Sequence, residues 1–133
     1  MTKGNFCAIN IEEEECGSVF GYTADSDAEN IKNYLESEGI TDPDILQSIR
    51  RHQRVSVLKN LWVDEENRGS GCGNLLWEDF LWDAKHNSSD AIITLSDKWE
   101  EQEEGFTLKD WYIRKGFKEL SETPSGYLMI KEL

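Results

Sequence analysis

The chain has 133 residues and a formal net charge of −13, from 27 acidic against 14 basic residues. That length suits one hydrophobic core and leaves no room for a second, so a single domain over 1–133 is expected. Five Trp, five Phe and four Tyr are too many large apolar groups for a disordered chain. The negative field opposes a nucleic-acid partner. It favours cationic partners such as polyamines, amino sugars or Lys-rich peptides, although solubility alone accounts for the same charge.

The cysteines are Cys7, Cys16 and Cys72. They form no CxxC pair, and neither His52 nor His86 stands at ligand spacing from one. Three reduced thiols, no disulfide framework and no metal site are expected. No early apolar stretch has the length of a signal peptide, and none approaches the ~18 residues of a membrane span. A cytoplasmic protein without membrane association follows as an expectation.

In chain order, Phe6–Ile9 is a continuous apolar run that predicts a short strand, and Ser18–Thr23 a second. Ser26 and Glu29 have capping-box spacing, with Ala28, Ile31 and Leu35 following at helical intervals to a stop at Gly39. Asp42 before Pro43 predicts a second helix start, with Ile45, Leu46 and Ile49 as its stripe and an end near Gln53. Arg54–Val63 is the strongest strand signal. Val55, Val57, Leu61 and Val63 share one phase, which Lys59 interrupts while Leu58 is apolar in the other, so an irregularity is expected at 58–60. A long helix is predicted from about Ser70 to Lys85 on Cys72, Leu76, Phe80 and Ala84. Ala91–Leu95 reads as a buried strand, Thr107–Lys115 as a short helix, and Phe117–Leu120 with Tyr127–Leu133 as a closing antiparallel pair. The alternation implies an α/β fold: a mixed, partly parallel twisted sheet with helices on both faces.

The segment Val63–Leu75 carries most of the functional information. Gly69, Gly71 and Gly73 alternate between the best strand and the best helix. Glycine there lets successive backbone N–H groups face one concave space at a helix N-terminus, an arrangement suited to a phosphate or pyrophosphate. A turn that merely starts a helix is the plainer alternative. A dinucleotide fingerprint fails, because Asn74 and Leu76 stand where its third glycine belongs, and no Gly-Lys pair makes a P-loop.

What fits is R-x-x-G-x-G, Arg68 through Gly73. This resembles motif A of the GNAT superfamily of N-acyltransferases. The segment Trp111-Tyr112-Ile113-Arg114-Lys115-Gly116-Phe117 is similar to that superfamily's aromatic-Tyr-x-x-x-Gly-Phe segment, and the likeness covers residues 54–133. The resemblance implies an acetyl-CoA-dependent N-acetyltransferase that acts on a primary amine by direct attack. It implies that Leu61, Trp62 and Val63 offer backbone groups to the pantetheine arm, and that a backbone N–H there stabilises the oxyanion. It also implies that Arg68, Gly69, Ser70, Gly71, Cys72, Gly73 and Asn74 hold the pyrophosphate, and that Tyr112 protonates the departing sulfur. Arg68 as a solvated turn residue and Tyr112 as core packing are the structural alternatives.

The first half matches the superfamily less well. The hairpin usual before the motif A strand is either missing or displaced to Cys7–Thr23. No base stands at Val57, Leu58 or Asn60; Asp97 is the first candidate and Glu103 or Glu104 the next, and a water chain with no dedicated base is an equal alternative. Glu100, Glu101, Glu103 and Glu104 would steer a cationic amine or basic protein acceptor, or form only a solvated loop. A homodimer is left open. The rival reading is a catalytically silent acyl-CoA-binding or interaction module.

Overall fold

The two N-terminal apolar runs form an antiparallel hairpin, β1 (Cys7–Glu13) and β2 (Gly17–Asp25), and β2 continues the sheet by pairing with β3 (Arg54–Val63). The hairpin is therefore displaced to the chain's start, not missing. The computed structural model describes residues 6–14, 16–63, 71–97 and 107–133. After β3 come α3 (Cys72–His86), β4 (Ala91–Asp97), α4 (Leu108–Arg114), β5 (Lys118–Glu122) and β6 (Gly126–Glu132); α1 (Glu29–Ser37) and α2 (Pro43–Arg50) lie between β2 and β3. The strands form one mixed sheet in the order β1-β2-β3-β4-β6-β5. Among the described residues only β3 and β4 run parallel, joined through α3 as a parallel crossover requires.

Each face of the sheet has its own core. On one, Leu76, Trp77 and Phe80 of α3 and Tyr112 of α4 pack on Ile9, Val19, Leu58, Ile92 and Met129. On the other, Ile31 and Leu35 of α1 and Ile49 of α2 pack on Ala24, Val55, Val57, Ile93 and Leu128. Burying each such side chain contributes about 1.5–3 kcal/mol, which fixes both layers to the sheet.

Several expectations are corrected. Ser26 does not cap α1. Its hydroxyl donates to the His52 carbonyl, and Ala28 stands at the N-cap with no side-chain bond. A tertiary partner has taken the hydroxyl in place of the local N–H donor. Asp42 does cap α2, accepting the Asp44 N–H at 2.9 Å, but the helix ends at Arg50, before Gln53. There the Asp90 carboxylate takes the Gln53 and Arg54 N–H groups at 2.9 and 2.8 Å and draws the chain into β3. α3 begins at Cys72, and Ser70 lies outside the described residues.

The thiols are also corrected. Cys16, in the β1–β2 turn, is disulfide-bonded to Cys72, with Cα atoms 5.7 Å apart, and Cys7 stands outside that disulfide. The sequence separation is 56 residues, so no spacing motif announces the pair. The β1–β2 pairing creates the contact by setting the turn beside the start of α3.

Candidate active site

Parallel pairing between β3 and β4 runs from Val55↔Ala91 to Leu58↔Thr94 and stops. Both strands continue. β3 stays bound to β2 through Val19↔Leu61, Ser18↔Trp62 and Gly17↔Val63, and β4 to β6 through Leu95↔Leu128, Ser96↔Tyr127 and Asp97↔Gly126. The two middle strands therefore part, leaving a wedge-shaped gap in the sheet.

The cause is a bulge at the place the sequence indicated. Gly21 pairs with Leu58 and Phe20 with Asn60, so Lys59 is the extra residue. A bulge bends the strand and sharpens its twist. It also reassigns the faces: Val55 and Val57 belong to the α1/α2 core, whereas Leu61 and Val63 pack against the α3 core. The single phase expected for these four residues is thus split in two. Gly21 is required here, because a Cβ would collide with the Val57 carbonyl. At the apex, the Thr94 hydroxyl donates to the Leu58 carbonyl at 2.9 Å, satisfying an acceptor that β4 no longer reaches by its backbone.

Beyond the apex, the β3 segment Lys59–Val63 has lost its β4 neighbour, and an extended ligand can pair with such an edge. Leu61 and Val63 turn their side chains to the α3 core. Trp62 lies on the opposite face, 51% exposed, in a shallow groove with Glu12, Glu13, Glu14, Gly17 and Ser18. Asp79 raises the Glu13 carboxyl above its usual range, chiefly through a side-chain hydrogen bond, with smaller contributions from desolvation and charge repulsion.

Of the glycine-rich turn, Arg68, Gly69 and Ser70 lie outside the described residues. Gly71 is the N-cap of α3 with φ +89°, a left-handed conformation that favours glycine. Among the described residues, a Cβ built on it meets nothing within 4 Å. Gly73 packs under Val63 and Trp111. Cys72 turns inward to its disulfide, so its thiol is no nucleophile or ligand while that bond is intact. Asn74 is exposed and accepts a hydrogen bond from Lys115 Nζ, which sits 5.1 Å from the Trp111 ring centroid. The fold thus brings a cation from the end of α4 to the first turn of α3. The expected site missed Lys115, since nothing in one dimension relates it to Asn74.

Tyr112 is 2% exposed. Its ring stands edge-on to Trp111 and Phe117 at 5.3 and 5.1 Å between centroids. Tyr112 is thus packed within the α3 core. Asp97 ends β4 opposite Gly126, and its side chain lies outside the described residues, as do Glu100, Glu101, Glu103 and Glu104.

A six-stranded sheet opened between the parallel strands β3 and β4, with a helix N-terminus beside the opening, has counterparts among solved structures. An acetyltransferase from Bacillus cereus ATCC 14579 superposes with a TM-score of 0.60 at 18% identity, over 97% of this chain and 74% of that one. The fold is that of the GNAT acetyltransferases. A PaiA N-acetyltransferase from Thermoplasma acidophilum, in complex with coenzyme A, gives 0.59 at 12% identity over 97% of this chain and 62% of that one. The NatC complex bound to Gag peptide and CoA gives 0.57 at 14%, over 88% and 60%. This chain therefore spans about three-fifths to three-quarters of the GNAT chains it matches. Identities this low show the fold alone. The sequence matches no protein-family model and no curated protein. Among the described residues, no helix is long and apolar enough to cross a membrane.

Proposed function

We propose that the protein is an acetyl-CoA-dependent N-acetyltransferase that acts on a primary amine by direct attack. The observation that carries this reading is the β3–β4 gap, which opens beside the left-handed Gly71 turn at the start of α3. The residues fit the co-substrate: the Lys59–Val63 edge has backbone groups to spare, a Cβ at Gly71 would meet no described residue, and Lys115 adds positive charge nearby. Acetyl-CoA would supply the activated acyl thioester.

In this reading, backbone groups of Leu61, Trp62 and Val63 bind the pantetheine arm as an added strand. The amides of Gly71, Cys72, Gly73 and Asn74, with Arg68, Gly69 and Ser70 before them, bind the pyrophosphate at the positive end of α3. A backbone N–H of β3 stabilises the developing oxyanion. Holding both reactants in the gap makes a bimolecular step effectively unimolecular. Tyr112 protonates the departing thiolate, and Asp97 is the carboxylate next in line as a base.

The acceptor class follows from charge. The net charge is −13, and the groove beside β3 places Glu12, Glu13 and Glu14 around the exposed Trp62. Carboxylates around an aromatic face suit a cation, so the acceptor is a polyamine, an amino sugar or a Lys side chain of a basic protein. The test is calorimetry with acetyl-CoA, followed by an amine panel read as free-thiol release. Binding with turnover on cationic amines supports the reading. Binding without turnover on any amine makes the protein a silent acyl-CoA-binding module, and no binding removes both.

A further inference from the structure

The layers on the two faces of the sheet do not reach equally far. On the α3 side, Ile9, Ile11, Val19, Leu58, Leu61 and Val63 pack into one core. On the opposite side, α1 and α2 cover Tyr22, Ala24, Val55 and Val57. The strand register continues past those residues in two further rows on that side. Asn10, Phe20 and Asn60 lie abreast across β1, β2 and β3, and Glu12, Ser18 and Trp62 form the next row. Ser18 is half-buried, and the other members of both rows are exposed. Among the described residues, no helix covers them.

Phe20 and Trp62 are 41% and 51% exposed. They stand diagonally on adjoining strands, a spacing of roughly 7–8 Å at which two aromatic side chains present one surface. A single exposed apolar side chain is ordinary, but a joined pair inside a polar rim marks an interaction site. The rim indicates the partner. Asn10 and Asn60 flank Phe20, and each amide offers a donor and an acceptor, as a peptide group does. Glu12 shares the row of Trp62, and Glu14 lines the adjoining groove. A second copy of a chain with net charge −13 would set carboxylates against carboxylates here, whereas a cationic partner neutralises them. Three strands span about 10 Å, more than one amine or one sugar ring covers. The patch ends on β3 past the last β3–β4 pair, Leu58↔Thr94, which is the rim of the gap.

We propose that this uncovered β1–β3 face docks a basic polypeptide, so that the acceptor is a Lys side chain carried by an extended segment and Phe20, Asn10 and Asn60 determine specificity. The proposal rests on the acetyltransferase reading and selects one of its acceptor classes. Apolar side chains of the segment lie on Phe20 and Trp62, its backbone amides meet Asn10 and Asn60, and its cations meet Glu12 and Glu14. The reactive Lys extends past Trp62 into the gap. There the bond from Nζ to the acyl carbon forms as the C–S bond breaks, and the proton that nitrogen sheds balances the one that sulfur gains. A polyamine would satisfy the carboxylates but has no carbonyl to accept from the Asn amides. An amino sugar would cover one of the two rings.

The experiment compares wild type with Phe20→Ser on three acceptors: a peptide of Lys, Arg and Leu residues, spermidine and glucosamine. Acetyl-CoA calorimetry runs alongside. The peptide should give the highest kcat/KM with wild type. Phe20→Ser should raise the peptide KM about tenfold, as removal of an aromatic anchor from an interface does, while the peptide kcat, the spermidine KM and the acetyl-CoA affinity change little. Spermidine or glucosamine as the best acceptor, an unchanged peptide KM, or an equal rise in the spermidine KM would each overturn the docking face. So would sedimentation that shows a wild-type dimer dissociated by Phe20→Ser, which would give the face to a second copy. If Phe20→Ser does not fold, photocrosslinking of wild type by the same peptide bearing a benzophenone decides: adducts around Phe20 on β1–β3 support the proposal, and adducts confined elsewhere overturn it. Failure of wild type to bind acetyl-CoA or to release thiol with any amine removes the acetyltransferase reading and this acceptor with it. Normal turnover of spermidine without preference for the peptide removes the polypeptide alone.

Discussion

The two faces of the sheet are held in different ways. The α3 face is aromatic and cross-linked: Trp77, Phe117, Tyr112 and Trp111 form a chain of ring contacts, and a disulfide fastens the start of α3 to the β1–β2 turn. The α1/α2 face carries two short helices on aliphatic contacts, tied at one end by polar bonds around His52, Arg54 and Asp90. The face proposed to hold the co-substrate is thus covalently and aromatically braced. The face proposed to meet the acceptor is built from shorter, separately seated pieces.

The largest expected effect tests the braced face directly. Gly71→Val places a β-branched residue at φ +89° and a Cβ over the amide. Acetyl-CoA binding should be lost by calorimetry while circular dichroism still reports a folded protein; undiminished affinity would remove Gly71 from the site. Next is the brace itself. The loop closed by Cys16–Cys72 spans a separation of 56 residues, and chain entropy assigns such a cross-link about 4 kcal/mol. Reduction should lower the urea midpoint accordingly, and a Cys16→Ser/Cys72→Ser pair should be insensitive to reductant. An unchanged midpoint would mean that the ring cluster alone braces this face.

Tyr112→Phe keeps the rings and removes only the hydroxyl. Turnover should fall by on the order of 10²-fold, at nearly constant acetyl-CoA affinity; full activity would leave Tyr112 as packing. In the groove around Trp62, Gln in place of Glu12, Glu13 and Glu14 should raise the acceptor KM several-fold at low salt. The effect should shrink as salt screens it over about 8–10 Å, with no parallel rise in the acetyl-CoA KM.

The smallest effect concerns the carboxyl pair that joins the two regions. The Glu13 pKa is raised by Asp79 of α3, so the folded state holds that proton more tightly than the unfolded state does. The repulsion is present above the shifted pKa and is relieved as pH falls through it toward 4.5, the ordinary value. Asp79→Asn should therefore raise the melting temperature slightly at pH 7, with the gain fading on acidification. A gain that is flat with pH would assign it to something other than this pair.

Much of the co-substrate face was legible in one dimension, for physical reasons. The bulge at 58–60 announced itself because a polar Lys interrupts an apolar alternation. The α3 stripe repeats at four-residue spacing, and alternating glycines mark a turn that reaches a positive φ at Gly71. The acceptor face was less legible because its information is long-range. Ser26 and Glu29 had the right spacing for a cap, but the hydroxyl found a carbonyl 26 residues away. Cys16 and Cys72 become partners only after the hairpin has paired.

The bulge has an evolutionary consequence. Leu58, Leu61 and Val63 all face α3, and Lys59 is the residue that no partner on β2 opposes. Excising that one codon would leave every inward side chain of β3 pointing where it points now, and would let the parallel ladder close past Leu58. A plain α/β sheet and a cleft for chemistry are therefore separated here by a single in-frame insertion that the core does not feel. An ancestral scaffold could gain or lose its site in one such step without passing through an unfolded intermediate.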